Sequence, residues 1–277
     1  MEVIVLAEKD KSALIIEDPT VEQTKLRRRA IVGQIILGAL LIVFWELFSR
    51  IGWLDSYYWS SPSTIVRTGW TAIVHGNLLQ DLAYTSGSTI IGFILGTAAG
   101  YLLGLTFWWS DLYSRIFEPY LIAFNAVPKL ALAPVLVIMF GIGFDSKVVL
   151  AFLMTIIVAA IAAYSGVENV DKDLEKMLVS LGAKRHHVFM KVVVPTTIPW
   201  IVSILKINIS LALAGTIVGE FISSRQGIGR MILYAGQVLD IDLVWVGVVV
   251  LSILSIVMYL GTVWLEHVLM KGRTPKS

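Results

Sequence analysis

Six stretches of the chain are apolar for long enough to cross a bilayer, which removes most of the folds open to 277 residues. A helix needs about 20 mainly apolar residues to cross a hydrocarbon core of ~30 Å. The stretches run over 31–48, 84–108, 120–140, 148–163, 198–218 and 243–265. None shows strand alternation, so the expectation is an all-α polytopic membrane protein rather than a β-barrel. Composition agrees, with 57% hydrophobic and 15% charged residues, against roughly 45–50% and about 25% in a soluble globular chain. A soluble enzyme, a nucleic-acid binder and a disordered chain are all disfavoured. Cysteine is absent, which removes disulfides, thiol catalysis and cysteine-held metals.

The first stretch reads as a retained anchor, because no small-residue cleavage site follows it at Ser49-Arg50-Ile51-Gly52-Trp53. Residues 1–30 read as a cytoplasmic tail, 31–268 as one membrane domain, and 269–277 as a second cytoplasmic tail. Lysine and arginine set the orientation. With the amino terminus inside, fifteen of the 22 fall in cytoplasmic segments and five outside; Lys129 and Lys206 lie within spans. Both termini are therefore expected in the cytoplasm. Most tryptophans, Trp108 and Trp109 among them, lie near the span ends, as an interfacial aromatic belt requires.

The second span carries Gly92, Gly96, Gly100 and Gly104 near one face, a surface for close helix packing. The third contains Pro128 and Pro134, so a kink is expected, with Asp145 or Ser146 placed to cap the fourth span. Lys129 and Lys206 sit roughly midway along their spans, where a charge is costly and a functional role is the default expectation. With Asn125 and Asn208 they are candidates for lining a translocation pathway, and if both lysines did so an anionic substrate would be favoured; the alternative is that they snorkel or meet backbone carbonyls. Glu46 and Glu220 are expected near the outer interface, in capping or surface pairing rather than proton relay.

The longest cytoplasmic connection, 166–197, reads as two short helices with Gly182 at the turn and Pro195 stopping the second. A polar hairpin between membrane helices invites a partner protein. From Glu175 to Pro195 it resembles the signature loop of bacterial ABC importer permeases. Gly182, Val192 and Pro195 have the spacing of that signature, an aliphatic residue ten places and a proline thirteen places after the glycine. The signature's acidic residue, six places before the glycine, is Lys176 here, with Glu175 one residue earlier. Its alanine pair is replaced by Met177 and Leu178.

Two further blocks carry the resemblance. Val127 to Pro134, running on to Gly141-Ile142-Gly143, is similar to the third-span region of the nitrate/sulfonate/taurine branch. Gly219-Glu220-Phe221-Ile222, followed by Gly227-Ile228-Gly229, is similar to its outer loop. The resemblance covers about 60–268 and implies a type I ABC importer permease (MetI-like) fold in the bacterial cytoplasmic membrane. It implies a second permease copy, two ATP-binding cassette subunits and a periplasmic or lipid-anchored substrate-binding protein. ATP and Mg would act in the partner ATPase, which the loop residues Glu175, Gly182, Ala183, Lys184, Arg185, Val192 and Pro195 would contact. Glu220, Gly227 and Gly229 would face the binding protein.

The sequence agrees with that division of labour. No G-x-x-x-x-G-K-[ST] phosphate loop, H-E-x-x-H helix or G-x-S-x-G elbow is present, so no catalytic residue, metal ligand or cofactor is expected in this chain. His186 and His187 are adjacent and diverge on a helix, a poor metal pair. The alternative is a secondary carrier working without an ATPase, which would need coupling-ion groups in broken helices and often internal repeats. A membrane-embedded enzyme lacks any catalytic constellation. The resemblance implies a small, anionic solute of the sulfonate, taurine, nitrate or related kind.

Overall fold

The computed structural model describes residues 19–271, so most of the expected amino-terminal tail and the end of the carboxy-terminal tail lie outside the described residues. Among the described residues all regular structure is helical. The chain divides into two units between Thr64 and Ile65, a division that falls inside the expected 31–268 domain.

The first unit holds α1 (Pro19–Ile51), α2 (Ser56–Trp59) and the start of α3 (Pro62–Val74). Helix α1 begins before residue 31, so part of the expected tail is helical. Glu46 accepts from the Ser63 amide at 3.0 Å, from the Ser63 hydroxyl at 2.8 Å, and pairs with Arg50 at 2.7 Å. Its carboxylate thus satisfies an orphan amide in the first turn of α3. Glu46 thus serves in capping and surface pairing.

The second unit is built on α4 (Leu78–Leu105), α7 (Phe144–Glu168) and α10 (Val194–Ile222). The glycines of α4 explain why it lies so close to α7. A Cβ on Gly92, Gly96, Gly100 or Gly104 would come under 3.0 Å from the carbonyl oxygens of Val148, Phe152, Ile156 and Ala160 respectively. Both series rise by four along their helices, so α4 and α7 run parallel and in register along the seam. Lipid offers no hydrophobic drive between helices, so such contact is a main source of their association. Helix α10 runs the other way: Gly166 meets Thr197 at one end, and Gly219 meets Lys147 at the other.

Between α4 and α7 the chain crosses back through a broken segment. A 3-10 turn (Thr106–Trp109) leads into α5 (Asp111–Ala126), capped by Ser110, whose hydroxyl accepts from the Tyr113 amide. A second 3-10 turn (Lys129–Leu132) and α6 (Ala133–Phe140) follow at 76° to α5. The stretch expected as one kinked span over 120–140 is therefore a bent helix pair. Val127 is extended, as the residue before a proline prefers, and Pro134 sits in the first turn of α6, where its missing N–H costs nothing. Neither Asp145 nor Ser146 caps α7. The helix begins at Phe144, so both lie in its first turn, and the Ser146 hydroxyl donates to Gly143 O.

After α7 come α8 (Lys172–Ser180) and α9 (Arg185–Val188). A π-helical turn (Phe189–Val193) then joins α9 directly to α10. Pro195 does not stop the helix as expected. It occupies the first turn of α10, and the wider π turn before it accommodates the missing donor. Thr196 and Thr197 donate their hydroxyls to the Val192 and Val194 carbonyls at 2.7 and 2.9 Å, covering acceptors in the same region. Helices α11 (Ile228–Gln237) and α12 (Ile241–Met270) complete the chain. Among the described residues five helical stretches are long and apolar enough to span a membrane, or six if the bent pair is one span.

The seam yields a direct test. Gly100→Leu should markedly lower the thermal stability of the purified protein in detergent, because the side chain collides with α7 backbone. Gly261→Ala, where nothing lies within 4 Å of the added Cβ, should leave the melting curve unchanged.

Candidate functional site: a helical hairpin, a buried outer clamp and two membrane lysines

The hairpin between α7 and α10 is held to the bundle from inside. Asp171 caps α8, its carboxylate accepting from the Asp173 and Leu174 amides at 2.9 and 3.2 Å. Gly182 adopts φ +86°, the left-handed conformation that lets the chain reverse after α8. Beneath the turn, Val170, Val188, Val192 and Val193 are buried, with Leu178 and Ala183 packed against them.

The end of α4 supplies the anchor. The Trp108 indole N–H donates to Glu175 at 2.6 Å. Arg185 lies over the Trp108 and Trp109 rings, 5.2 and 5.5 Å from their centroids, and donates to the Trp109 carbonyl. Phe189 packs on both tryptophans. Trp108 and Trp109 therefore fasten the hairpin, a role that an interfacial belt does not express.

Of the loop residues expected to contact a partner, Lys184 and Arg185 are exposed on the hairpin, while Glu175 is drawn inward and Val192 is buried. Pro195 lies in α10. The outward side of α8 and its turn carries exposed apolar groups instead: Leu174 (38% exposed), Met177 (52%), Val179 (58%) and Leu181 (77%). A cleft of about 480 Å³ opens beside α8, lined by Asp111, Arg115, Glu118, Glu168 and Lys172 among others.

At the opposite end of the bundle, the Gly219–Gly229 segment folds inward. Glu220, expected to face a binding protein, is fully buried. It accepts from the Thr85 hydroxyl at 2.8 Å and from the Gly229 amide at 2.7 Å. Asp81 accepts from the Gly227 amide at 2.6 Å, and the Ile228 amide donates to Thr85 Oγ1 at 2.9 Å. The buried Lys147 donates to the Ser223 carbonyl and to Ser146 Oγ. Gly227 has φ +114° and lies against the Glu220 carboxylate, where a Cβ would collide.

The physical reason for the inward turn is satisfaction. Three amides at the start of α11 have no helical partner. Carboxylates and a hydroxyl from α10 and α4 supply those acceptors, and Gly227 and Gly229 allow the approach. Asp81 and Thr85 escaped the sequence reading. Their one signal is polar residues four apart at the mouth of an apolar span.

The pathway candidates separate. Asn208 is fully buried and donates to Thr97 Oγ1 at 3.1 Å and to the Thr155 carbonyl at 3.3 Å, so it ties α10 to α4 and α7 and lines no open surface. Lys206 pairs with Glu266 of α12 at 2.6 Å, an acceptor that sequence reading missed. Lys129 lies at the α5–α6 break and donates to the Asn125 carbonyl at 3.1 Å, satisfying a C-terminal carbonyl of α5. Asn125 is exposed. Among the described residues no cluster of three or more histidines and carboxylates forms a metal site.

The outer clamp predicts its own cost. Thr85→Val removes the hydroxyl shared by Glu220 and Ile228, and should destabilise the protein by about 1.5–3 kcal/mol, the range for losing a hydrogen bond to a charged group. Thr85→Ser, which keeps the hydroxyl, should retain most of the stability in the same denaturation assay.

Comparison with known proteins places this geometry. Residues 92–271 match the profile of the family described as binding-protein-dependent transport system inner membrane component. A Halalkalibacterium halodurans relative, the formylaminopyrimidine transport permease protein ThiX, is 30% identical, with 84% of this chain and 93% of the relative covered. An Escherichia coli relative named as an aliphatic sulfonates transport permease protein is 30% identical over 78% of this chain and 82% of its own. The riboflavin transport system permease protein RibX of Chloroflexus aurantiacus is 28% identical over 84% and 87%. An inward-facing structure of the MetNI methionine ABC transporter superposes with a TM-score of 0.55 at 18% identity, covering 75% of this chain and 96% of that one. The resemblance drawn from the three sequence blocks is thus borne out, as is the MetI-type fold. The chain belongs to the binding-protein-dependent transport system inner membrane component family and is a multi-pass ABC-transporter permease of the inner membrane.

Proposed function

We propose that this chain forms the translocation pathway of an ATP-driven importer for a small solute delivered by a substrate-binding protein. The observation that carries the reading is the α8 hairpin. It is pinned to the bundle by Trp108, Glu175 and Arg185 and presents exposed apolar side chains away from it. A water-facing patch of that kind marks a protein contact. Its occupant is an ATP-binding cassette subunit, which binds ATP with Mg and hydrolyses it, since this chain has no phosphate loop.

Force passes from the cassette through a short path. Displacing α8 moves Glu175, and with it Trp108 at the end of α4; through the π turn it also moves α10. Because α4 and α7 share a seam without slack, the motion reaches the outer end as rigid-body displacement rather than side-chain rearrangement. The outer clamp then carries it into α11. Two permease copies enclose the pathway, and the binding protein docks on the outer loops around α11.

The solute reading is a small anion of the sulfonate, taurine or nitrate kind, supported by the sulfonate permease among the relatives and by Lys129. That lysine has no carboxylate partner among the described ion pairs, whereas Lys206 is occupied by Glu266.

Reconstitution in liposomes tests the whole reading. Uptake should require the binding protein, the ATPase and ATP together, and the isolated chain should be inert. Uptake by the isolated chain under an ion gradient would establish a secondary carrier instead. Gly182→Trp places a bulky side chain at a left-handed turn with open space around it. It should abolish co-purification of the ATPase while membrane insertion stays intact, and undiminished recovery of the ATPase would refute the docking role.

A further inference from the structure

The outward charge of the docking hairpin constrains what it docks against. Lys176 stands on the exposed side of α8, its side chain 76% exposed, paired with Asp173, itself 91% exposed, at 3.1 Å. An exposed pair three residues apart contributes little and exchanges readily for another partner. The neighbouring carboxylate is withdrawn, since Glu175 faces the bundle and accepts from Trp108. Asp171 is engaged in capping α8. Lys172 and Lys184 are also exposed on the hairpin. The apolar groups Leu174, Met177 and Leu181 therefore sit within a rim that is mainly cationic.

We propose that the ATPase groove receiving this hairpin is an apolar seat carrying a carboxylate opposite Lys176. The proposal rests on the reading of α8 as the ATPase-docking element and adds the chemistry of its partner. Burial at the interface strengthens the new pair, because screening by water falls as the groove closes over it.

The experiment measures affinity of the separately purified cognate ATP-binding subunit for the full permease in nanodiscs, at low and about 0.5 M salt. Lys176→Arg should bind as the unaltered chain does, Lys176→Gln several-fold more weakly, and Lys176→Glu at least tenfold more weakly, with the differences shrinking in high salt. Equal or tighter binding by Lys176→Glu, with the unaltered chain still binding, would overturn the acidic seat and leave the docking role standing. Failure of the unaltered chain to bind the subunit would overturn both. A loss seen only in nanodiscs containing phosphatidylglycerol, and absent in phosphatidylcholine, would make the lipid surface the occupant and overturn the proposal.

Discussion

Close backbone contact between α4 and α7 is the constraint on which the rest of the structure depends. Hydrocarbon solvates leucine as well as another leucine does, so two apolar helices gain little by meeting unless they can meet closely. Four glycines facing four successive carbonyls of α7 provide that fit. Once the two helices are in parallel register, α10 has one groove to fill. The Asn208 amide, bonded to both helices, fixes its depth there.

The two ends of this core are finished differently. At the hairpin end, aromatic stacking and one indole–carboxylate bond fasten a short helix while leaving its other side open. At the far end, buried carboxylates, a hydroxyl and a lysine consume the orphan amides of a loop. Unsatisfied amides are costly where water is scarce, so that loop is drawn inward.

Much of this was legible in the residues. The span positions, the glycine face on α4 and the left-handed turn at Gly182 follow from local patterns, since hydrophobic length, four-residue spacing and glycine's freedom act over one or two helical turns. Pro195 shows the limit of local reasoning. Proline normally ends a helix, yet here a π turn ahead of it and threonine hydroxyls behind it let the helix continue. Lys129 and Asn125 are four residues apart and meet, because the contact lies within a single turn across the break.

The sequence by itself determined that the chain crosses a membrane repeatedly, which side its basic segments favour, and where the α8 hairpin lies. Transfer energy, charge bias and turn chemistry are properties of a residue and its near neighbours. Only the tertiary structure decided that Glu220 is buried rather than presented, that Lys206 is occupied by Glu266, and that Glu175 points inward and leaves Lys176 outside. Those outcomes depend on partners far away along the chain. Thr85 and Glu220 are 135 residues apart, and Trp108 and Glu175 are 67 apart. A polar side chain's role is set by which distant group can satisfy it, and packing alone brings that group within reach.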